Sequence, residues 1–247
     1  MMHAAAKVLL APLIYAQARR VRASALELPE PPGPRTGVAG AGAVVLRLLV
    51  AGDSSAAGVG ARAQDEALAL PLARELARRL GGAVRWQLVA QTGLTSEGVL
   101  HKLMHGHVDA ADVAVIVVGV NDITKEVPLQ QALRRRGEIA AWLRTHAGVS
   151  HVVFPAAPDL DLFPALPQPL AWLGGKLSRR NNDAQARWAK TQPGVSHVAM
   201  GGVTHGSLFA EDGFHPGPAL YARVRAQLVP HIATLVRERQ GIEAGAR

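Results

Sequence analysis

VVLRLLVAGDSSAAGVG, residues 44–60, decides the fold. Its first nine residues form an apolar run that reads as a strand. The next eight are small and polar and contain two glycines, the composition of a tight turn into a helix. Such a turn either cradles a phosphate or aims a nucleophile.

The phosphate reading fails on spacing. A GxxxxGK[ST] loop needs a lysine after its second glycine, and none is near Gly52 or Gly58. A dinucleotide fingerprint fails too, because the run from Gly58, Gly-Val-Gly-Ala-Arg-Ala, lies too far past the strand. Asp53 would moreover repel a phosphate placed at the turn. The nucleophile reading remains, with Ser54 as the hydroxyl.

Outward from this stretch, short apolar runs alternate with longer helix-like ones, the pattern of βαβ units around a parallel sheet. Candidate strands are residues 44–52, 83–90, 111–119, 150–156 and 196–200, about five in all. Helical periodicity occupies 66–80, with Gly81-Gly82 as its stop, then 95–107, 127–148, the later part of 164–192, and 216–240. Pro71 leaves the start of the first helix open. The fold class is therefore α/β, a doubly wound sheet with helices on both faces. Residues 1–42 read as a separate N-terminal segment, and 43–247 as one catalytic domain.

Composition agrees with that class. The chain has 247 residues, 49% hydrophobic and 19% charged, enough for one domain with a sizeable core. Its net charge of +8 raises the question of nucleic acid or anionic lipid. The basic residues are dispersed, however. RRVR at 19–22 and RRR at 134–136 are short runs, aromatic residues make up only 4%, and no nucleic-acid motif is legible, so these arginines read as a solvated surface without a nucleic-acid partner. With no cysteine, disulfides, thiol catalysis and cysteine metal sites are excluded.

Residues 8–18, VLLAPLIYAQA, are too short an apolar stretch to span a bilayer as a helix. Ala16-Gln17-Ala18 has the form of a signal cleavage site, but Arg19, Arg20 and Arg22 follow it, where a signal peptide carries its charge in front. The favoured expectation is an amphipathic segment docked on the domain or resting weakly on a membrane surface through residues 1–26, in a cytoplasmic or membrane-peripheral protein, with export as the alternative. Residues 28–42, LPEPPGPRTGVAGAG, read as an extended linker.

In a sheet of this kind the loops after the carboxyl ends of the strands line the crevice. The polar residues fall there: Asp53-Ser54 after the first strand, Gly93 after the second, Asn121-Asp122 after the third, and Asp212 with His215 after the fifth. A serine hydroxyl is a weak nucleophile until an imidazole takes its proton, and the imidazole needs a carboxylate to hold its tautomer. Asp212-Gly-Phe-His215 supplies both on one turn. The Ser54 N–H, the Gly93 N–H and the Asn121 amide are donors of the kind an oxyanion requires. Asp53 and Asp122 read as structural acceptors for loop N–H groups.

GDSS (52–55), Gly93 in QTGLTS, GVND (119–122) and DGFH (212–215), in that order, resemble the four blocks of the SGNH, or GDSL-type, hydrolases over about residues 44–240. The resemblance implies a three-layer α/β/α, flavodoxin-like fold and an esterase or lipase-like activity. By that likeness Ser54 is the nucleophile, His215 the general base and then acid, Asp212 its orienter, and Ser54 N–H, Gly93 N–H and Asn121 the oxyanion donors. The implied partner is a small ester, with no cofactor. Thioesterases, lysophospholipases and carbohydrate deacetylases share the fold. One departure stands out: Ser55 occupies the place of the usual leucine, which alters packing behind the turn rather than any catalytic role.

Two further groups carry expectations. Glu97, His101 and His105 recur every four residues with His107 beyond, a spacing that lets them share a helix face, but Gly98 and Gly106 loosen that helix and no H-E-x-x-H is present, so no metal is expected. Phe163, Leu166 and Trp172, in the Pro-rich segment 163–175, read equally as an acyl pocket or as a cap on the core.

Overall fold

A computed structural model describes residues 2–201, 208–239 and 241, with side-chain surroundings from residue 10 onward. Gln240, the expected last residue of the closing helix, lies outside the described residues, as do the side chains of 1–9 in the expected membrane-contacting segment.

The sheet has six strands in the order β1-β3-β2-β4-β5-β6. Strands β2 (Val44–Gly52), β3 (Ala83–Ala90), β4 (Val113–Val117), β5 (His151–Pro155) and β6 (Val195–Val198) are parallel. Counted by themselves, these five run in the flavodoxin-like order, second-first-third-fourth-fifth. The sixth, β1 (Thr36–Ala39), pairs antiparallel with the outer side of β3 and makes the sheet mixed.

That edge strand corrects the linker reading of 28–42. The segment is extended, but it is pinned along its length. Glu30 accepts the Thr92 N–H at 2.7 Å, Arg35 donates to Ala90 O at 2.7 Å, and Gln64 Nε2 bridges Pro31 O to Ala57 O. The proline and glycine content suppressed the strand signal, since four residues of Thr-Gly-Val-Ala carry too little apolar periodicity to stand out.

Helices α3 (Ala69–Leu80) and α8 (Pro218–Arg239) cover one face; α4 (Ser96–His105), α6 (Leu129–His146) and α7 (Leu170–Ala189) cover the other. Strand β2 shows why both faces fill. Leu48 and Val50 join the α3/α8 core, while Leu49 and Ala51 join the α4/α6 core, and all four are essentially inaccessible. Pro71 sits in the first turn of α3, where its missing N–H costs nothing. The N-terminal helix α1 (Met2–Ser24) docks through Gln17, which bonds Gln168 O and the Leu170 N–H, and through Arg22, which donates to Thr124 O at 3.0 Å. Among the described residues no helix is long and apolar enough to cross a membrane.

One arginine departs from the solvated-surface reading. Arg136, last of the RRR run, is completely buried. On α6 it shares a face with Ala132, Leu133, Ile139, Ala140 and Leu143, all buried, so the helix points it inward.

Candidate active site

The site is built where β2 and β4 diverge, the point at which the order of the parallel strands reverses. Gly52 ends β2 at φ 153°, and a Cβ there would collide with Val117 O on β4; only glycine lets the two strand ends approach so closely. Asp53 then caps the single-turn helix α2 (Ser54–Ala57), its Oδ1 accepting the Ser55 N–H at 3.0 Å. Ser54 is therefore the first residue of a helical turn, where the amide has no intrahelical acceptor. Gly58, at φ 96°, closes the turn by donating to Ser54 O.

On the far side of the chain, Asp212 folds its own loop. Its Oδ1 accepts the N–H groups of Phe214 and His215 at 2.9 Å each, which brings the imidazole back over the carboxylate. His215 Nδ1 lies 2.5 Å from Asp212 Oδ2, and His215 Nε2 lies 2.9 Å from Ser54 Oγ, across 161 positions of sequence. Burial pushes the Asp212 carboxyl up, but hydrogen bonds from the His215 ring and from the two amides outweigh it and hold the group below its ordinary range. The Asp212 side chain is 1% exposed and that of His215 24%, so the acid is shielded while the base faces the crevice.

The other expected oxyanion donors lie on the loops after β3 and β4. Asn121, on the short helix α5 (Val120–Thr124), donates through Nδ2 to Leu94 O at 3.0 Å and reaches Asp53 Oδ2 only at 3.5 Å. Gly93 has φ 81°, the left-handed region that favours glycine, and no atom comes within 4 Å of the place a Cβ would take. Lys125 holds the Gly93 carbonyl at 2.8 Å.

Asp53 and Asp122 accept loop N–H groups, and both do more. Asp53 is 3% exposed; burial pushes its carboxyl up, the Ser55 N–H pulls it back in part, and the nearby Asp122 charge adds to the rise, leaving it at about 7. Asp122 takes the Ser96 N–H at 2.8 Å, the Ser96 hydroxyl at 2.6 Å and Arg136 Nη2 at 2.9 Å. Arg136 also donates to Asn181 Oδ1 and Gln185 Oε1, and Gln185 reaches Pro155 O and His197. This buried network under the crevice escaped the sequence reading. The signal was present in the apolar stripe of α6, which includes position 136.

The remaining expectations resolve by placement. Glu97 pairs with Arg135, His101 and His105 stack on each other at 4.0 Å, and His107 turns to Asp109. Among the described residues no three His, Cys, Asp or Glu side chains could share an ion. Phe163 is 4% exposed and packs against Phe209 and Phe214 beneath the Asp212 loop, with Leu166 at the edge of that cluster. Trp172 stands apart, with Lys176 Nζ 4.3 Å above its ring. The first two are core for the loop that carries His215.

Comparison with known proteins follows the same lines. The chain is 33% identical over 190 residues to the GDSL-like esterase Rv1075c of Mycobacterium tuberculosis, a match covering 72% of this chain and 58% of that protein. Among solved structures it resembles a carbohydrate esterase family 3 protein from Talaromyces cellulolyticus, with a TM-score of 0.60 at 14% identity over 78% of this chain and 99% of that one. It also resembles the lipase Lip_vut3 from goat rumen metagenome, at 0.58 and 18%, over 76% and 97%. The two structural likenesses bear on the fold alone. The profile of the GDSL-like lipase/acylhydrolase family matches residues 50–223, from the strand that leads to Ser54 well into the closing helix, and the chain belongs to that family.

Proposed function

We propose that this protein hydrolyses carboxylic esters with short to medium acyl groups through an acyl-enzyme on Ser54. The observation that carries the reading is the unbroken line Ser54 Oγ–His215 Nε2 and His215 Nδ1–Asp212 Oδ2, 2.9 and 2.5 Å long. Ser54 Oγ attacks the ester carbonyl carbon as its proton passes to His215 Nε2. Asp212 keeps the proton on Nδ1 and steadies the imidazolium that forms. The oxyanion is received by the Ser54 and Gly93 amides and by Asn121 Nδ2, whose second N–H is held only by the long contact to Asp53 and is available to turn. Collapse breaks the ester C–O bond, and His215 returns the proton to the departing alcohol. Water then repeats the sequence on the acyl-enzyme and releases the acid.

Thioester, lysophospholipid and acetylated-carbohydrate substrates fit the same chemistry. The test is a rapid-mixing assay with p-nitrophenyl esters: a burst of nitrophenol equal to the enzyme concentration, then a slower steady state, with turnover falling at least about 10³-fold in Ser54→Ala. Undiminished turnover in that variant overturns the reading.

We also propose that α1 rests on an anionic membrane surface. Leu13 and Tyr15 are 49% and 65% exposed beside the outward Arg19 and Arg20, an apolar and basic pairing suited to a lipid interface. Co-sedimentation with phosphatidylserine vesicles is expected to weaken about fivefold for each arginine changed to alanine. Equal binding of the variant and the original chain contradicts it.

A further inference from the structure

The backbone donor of the proposed oxyanion hole sits on a residue with no side chain to steady it. A glycine lets the peptides on either side swing through a wider range than any other residue does. A donor that must wait in one orientation for the oxyanion needs those peptides fixed. The chain fixes them with side chains from two distant segments. The Gly93 N–H belongs to the Thr92–Gly93 peptide. Before that peptide, Glu30 Oε1 accepts the Thr92 N–H at 2.7 Å and the Thr92 hydroxyl at 3.0 Å. After it, Lys125 Nζ donates to the Gly93 carbonyl at 2.8 Å. The peptide is gripped from both sides, while the Gly93 N–H itself has no acceptor among the described residues.

Each grip is itself anchored. Glu30 Oε2 accepts Arg35 Nη1 at 2.9 Å, and Arg35 Nη2 holds Ala90 O, at the end of β3, at 2.7 Å. Burial pushes the Glu30 carboxyl up, but hydrogen bonds from Thr92 and Arg35 outweigh it and hold the group below its ordinary range, so it stays an acceptor at neutral pH. Lys125 caps α5 four residues after Asn121, its N–H on Asn121 O at 3.0 Å. Glu126 follows at φ 57°, the one described residue other than glycine in the left-handed region, a conformation that persists only where its surroundings impose it. The turn closes with the Val127 N–H on Asp122 O at 2.8 Å. The gripped loop is also registered on the nucleophile, since the Gln91 N–H donates at 3.2 Å to Gly52 O, two residues before Ser54.

We infer that Glu30 and Lys125 are positioning residues for the proposed reaction, acting together to fix the direction of the Gly93 N–H. The inference rests on the hydrolase reading above and extends it to two residues outside the four sequence blocks. Glu30 lies before residue 50, where the family match begins. Both side chains end on the loop backbone rather than on a reacting atom. They bear on how well the hole is formed, so they matter to the tetrahedral species and little to the bound ester.

The experiment measures kcat and KM for p-nitrophenyl acetate in the wild type and in Glu30→Ala, Glu30→Gln, Lys125→Met and Lys125→Arg. It also measures Ki for phenylboronic acid, whose boron bonds a serine oxygen to give a tetrahedral anion, and thermal unfolding confirms that each variant is folded. Glu30→Ala and Lys125→Met should each lower kcat about tenfold and raise Ki by about the same factor, with KM within about threefold of the original. The two truncations combined should cost no more than about 10³-fold, the worth of one oxyanion donor, because both act through Gly93. Glu30→Gln keeps an acceptor for Thr92 and Lys125→Arg a donor for Gly93, so each should restore kcat to within about threefold of wild type. The residues lie on separate segments, so one truncation that fails to fold leaves the other to decide. Unchanged kcat in a folded truncation, a loss confined to KM, a Ki that does not follow kcat, or conservative variants as poor as the truncations overturns the positioning role and leaves the hydrolase reading intact. Absence of Ser54-dependent turnover of any ester overturns the hydrolase reading and the positioning role with it.

Discussion

Two acid-centred clusters, one around Asp212 and one around Asp122, differ in almost every respect. In one, Asp212 and His215 sit three residues apart on a loop, and the imidazole is 24% exposed and aimed at a serine hydroxyl. In the other, Asp122 and Arg136 are 2% and 0% exposed, and Ser96, Asn181 and Gln185 take up their remaining hydrogen bonds. A fully satisfied buried pair has nothing left to give a substrate and serves to hold shape. A half-open pair whose base ends on a hydroxyl has a proton to move. The chain thus uses one cluster to fix α4, α5, α6 and α7 under the crevice and the other to face it.

The contrast can be broken in graded steps. Arg136→Met removes one partner of the buried pair and leaves Asp122 charged and unmatched, and it should cost about 3–5 kcal/mol in urea unfolding. A loss below about 1 kcal/mol would show that the network is not the clamp described. Asn121→Ala removes the proposed side-chain oxyanion donor. It is expected to lower kcat by about 10²–10³-fold while KM stays within about threefold, because the oxyanion exists only in the transition state. A loss confined to KM would place Asn121 in ground-state binding instead.

Asp53 gives the smallest effect and a sign. Burial, with the Asp122 charge assisting, lifts its ionisation to about 7 in the folded chain from 3.8. Between those values an unfolded Asp53 is ionised and the folded one keeps its proton, so its contribution to stability falls as pH rises through the window. Asp53→Asn removes that term. The Tm of the variant relative to wild type should therefore rise between pH 4 and pH 7, by at least about 2 °C, or about 1 kcal/mol in a chain of this size. A difference that stays flat with pH contradicts the lifted ionisation.

The two clusters were not equally legible in the sequence. Gly52-Asp-Ser54 and Asp212-x-x-His215 are local patterns: each loop shapes itself through hydrogen bonds between residues two or three apart, and the strand pattern fixes which end of the sheet they occupy. Strands β2 and β3 were readable to the residue for a related reason, since a strand filled on both faces is mostly apolar, here broken only by Arg47 in β2 and by Arg85 and Gln87 in β3. The buried network has no such locality. Arg136 draws its partners from positions 96, 122, 181 and 185, brought together only by packing, and the adjacent Arg134 and Arg135 made the run look like a solvated face. The edge strand β1 was hidden for the opposite reason, its four residues being too short and too glycine-rich to show a period.

The central claim is that the hydroxyl at position 54 becomes covalently acylated. Quenching the enzyme in acid during turnover of p-nitrophenyl butanoate and mapping its peptides by mass spectrometry tests this most directly. The account predicts one butanoyl group per chain, on Ser54, and none in Ser54→Ala. A chain that turns over ester with no adduct, or with the adduct on another residue, contradicts it.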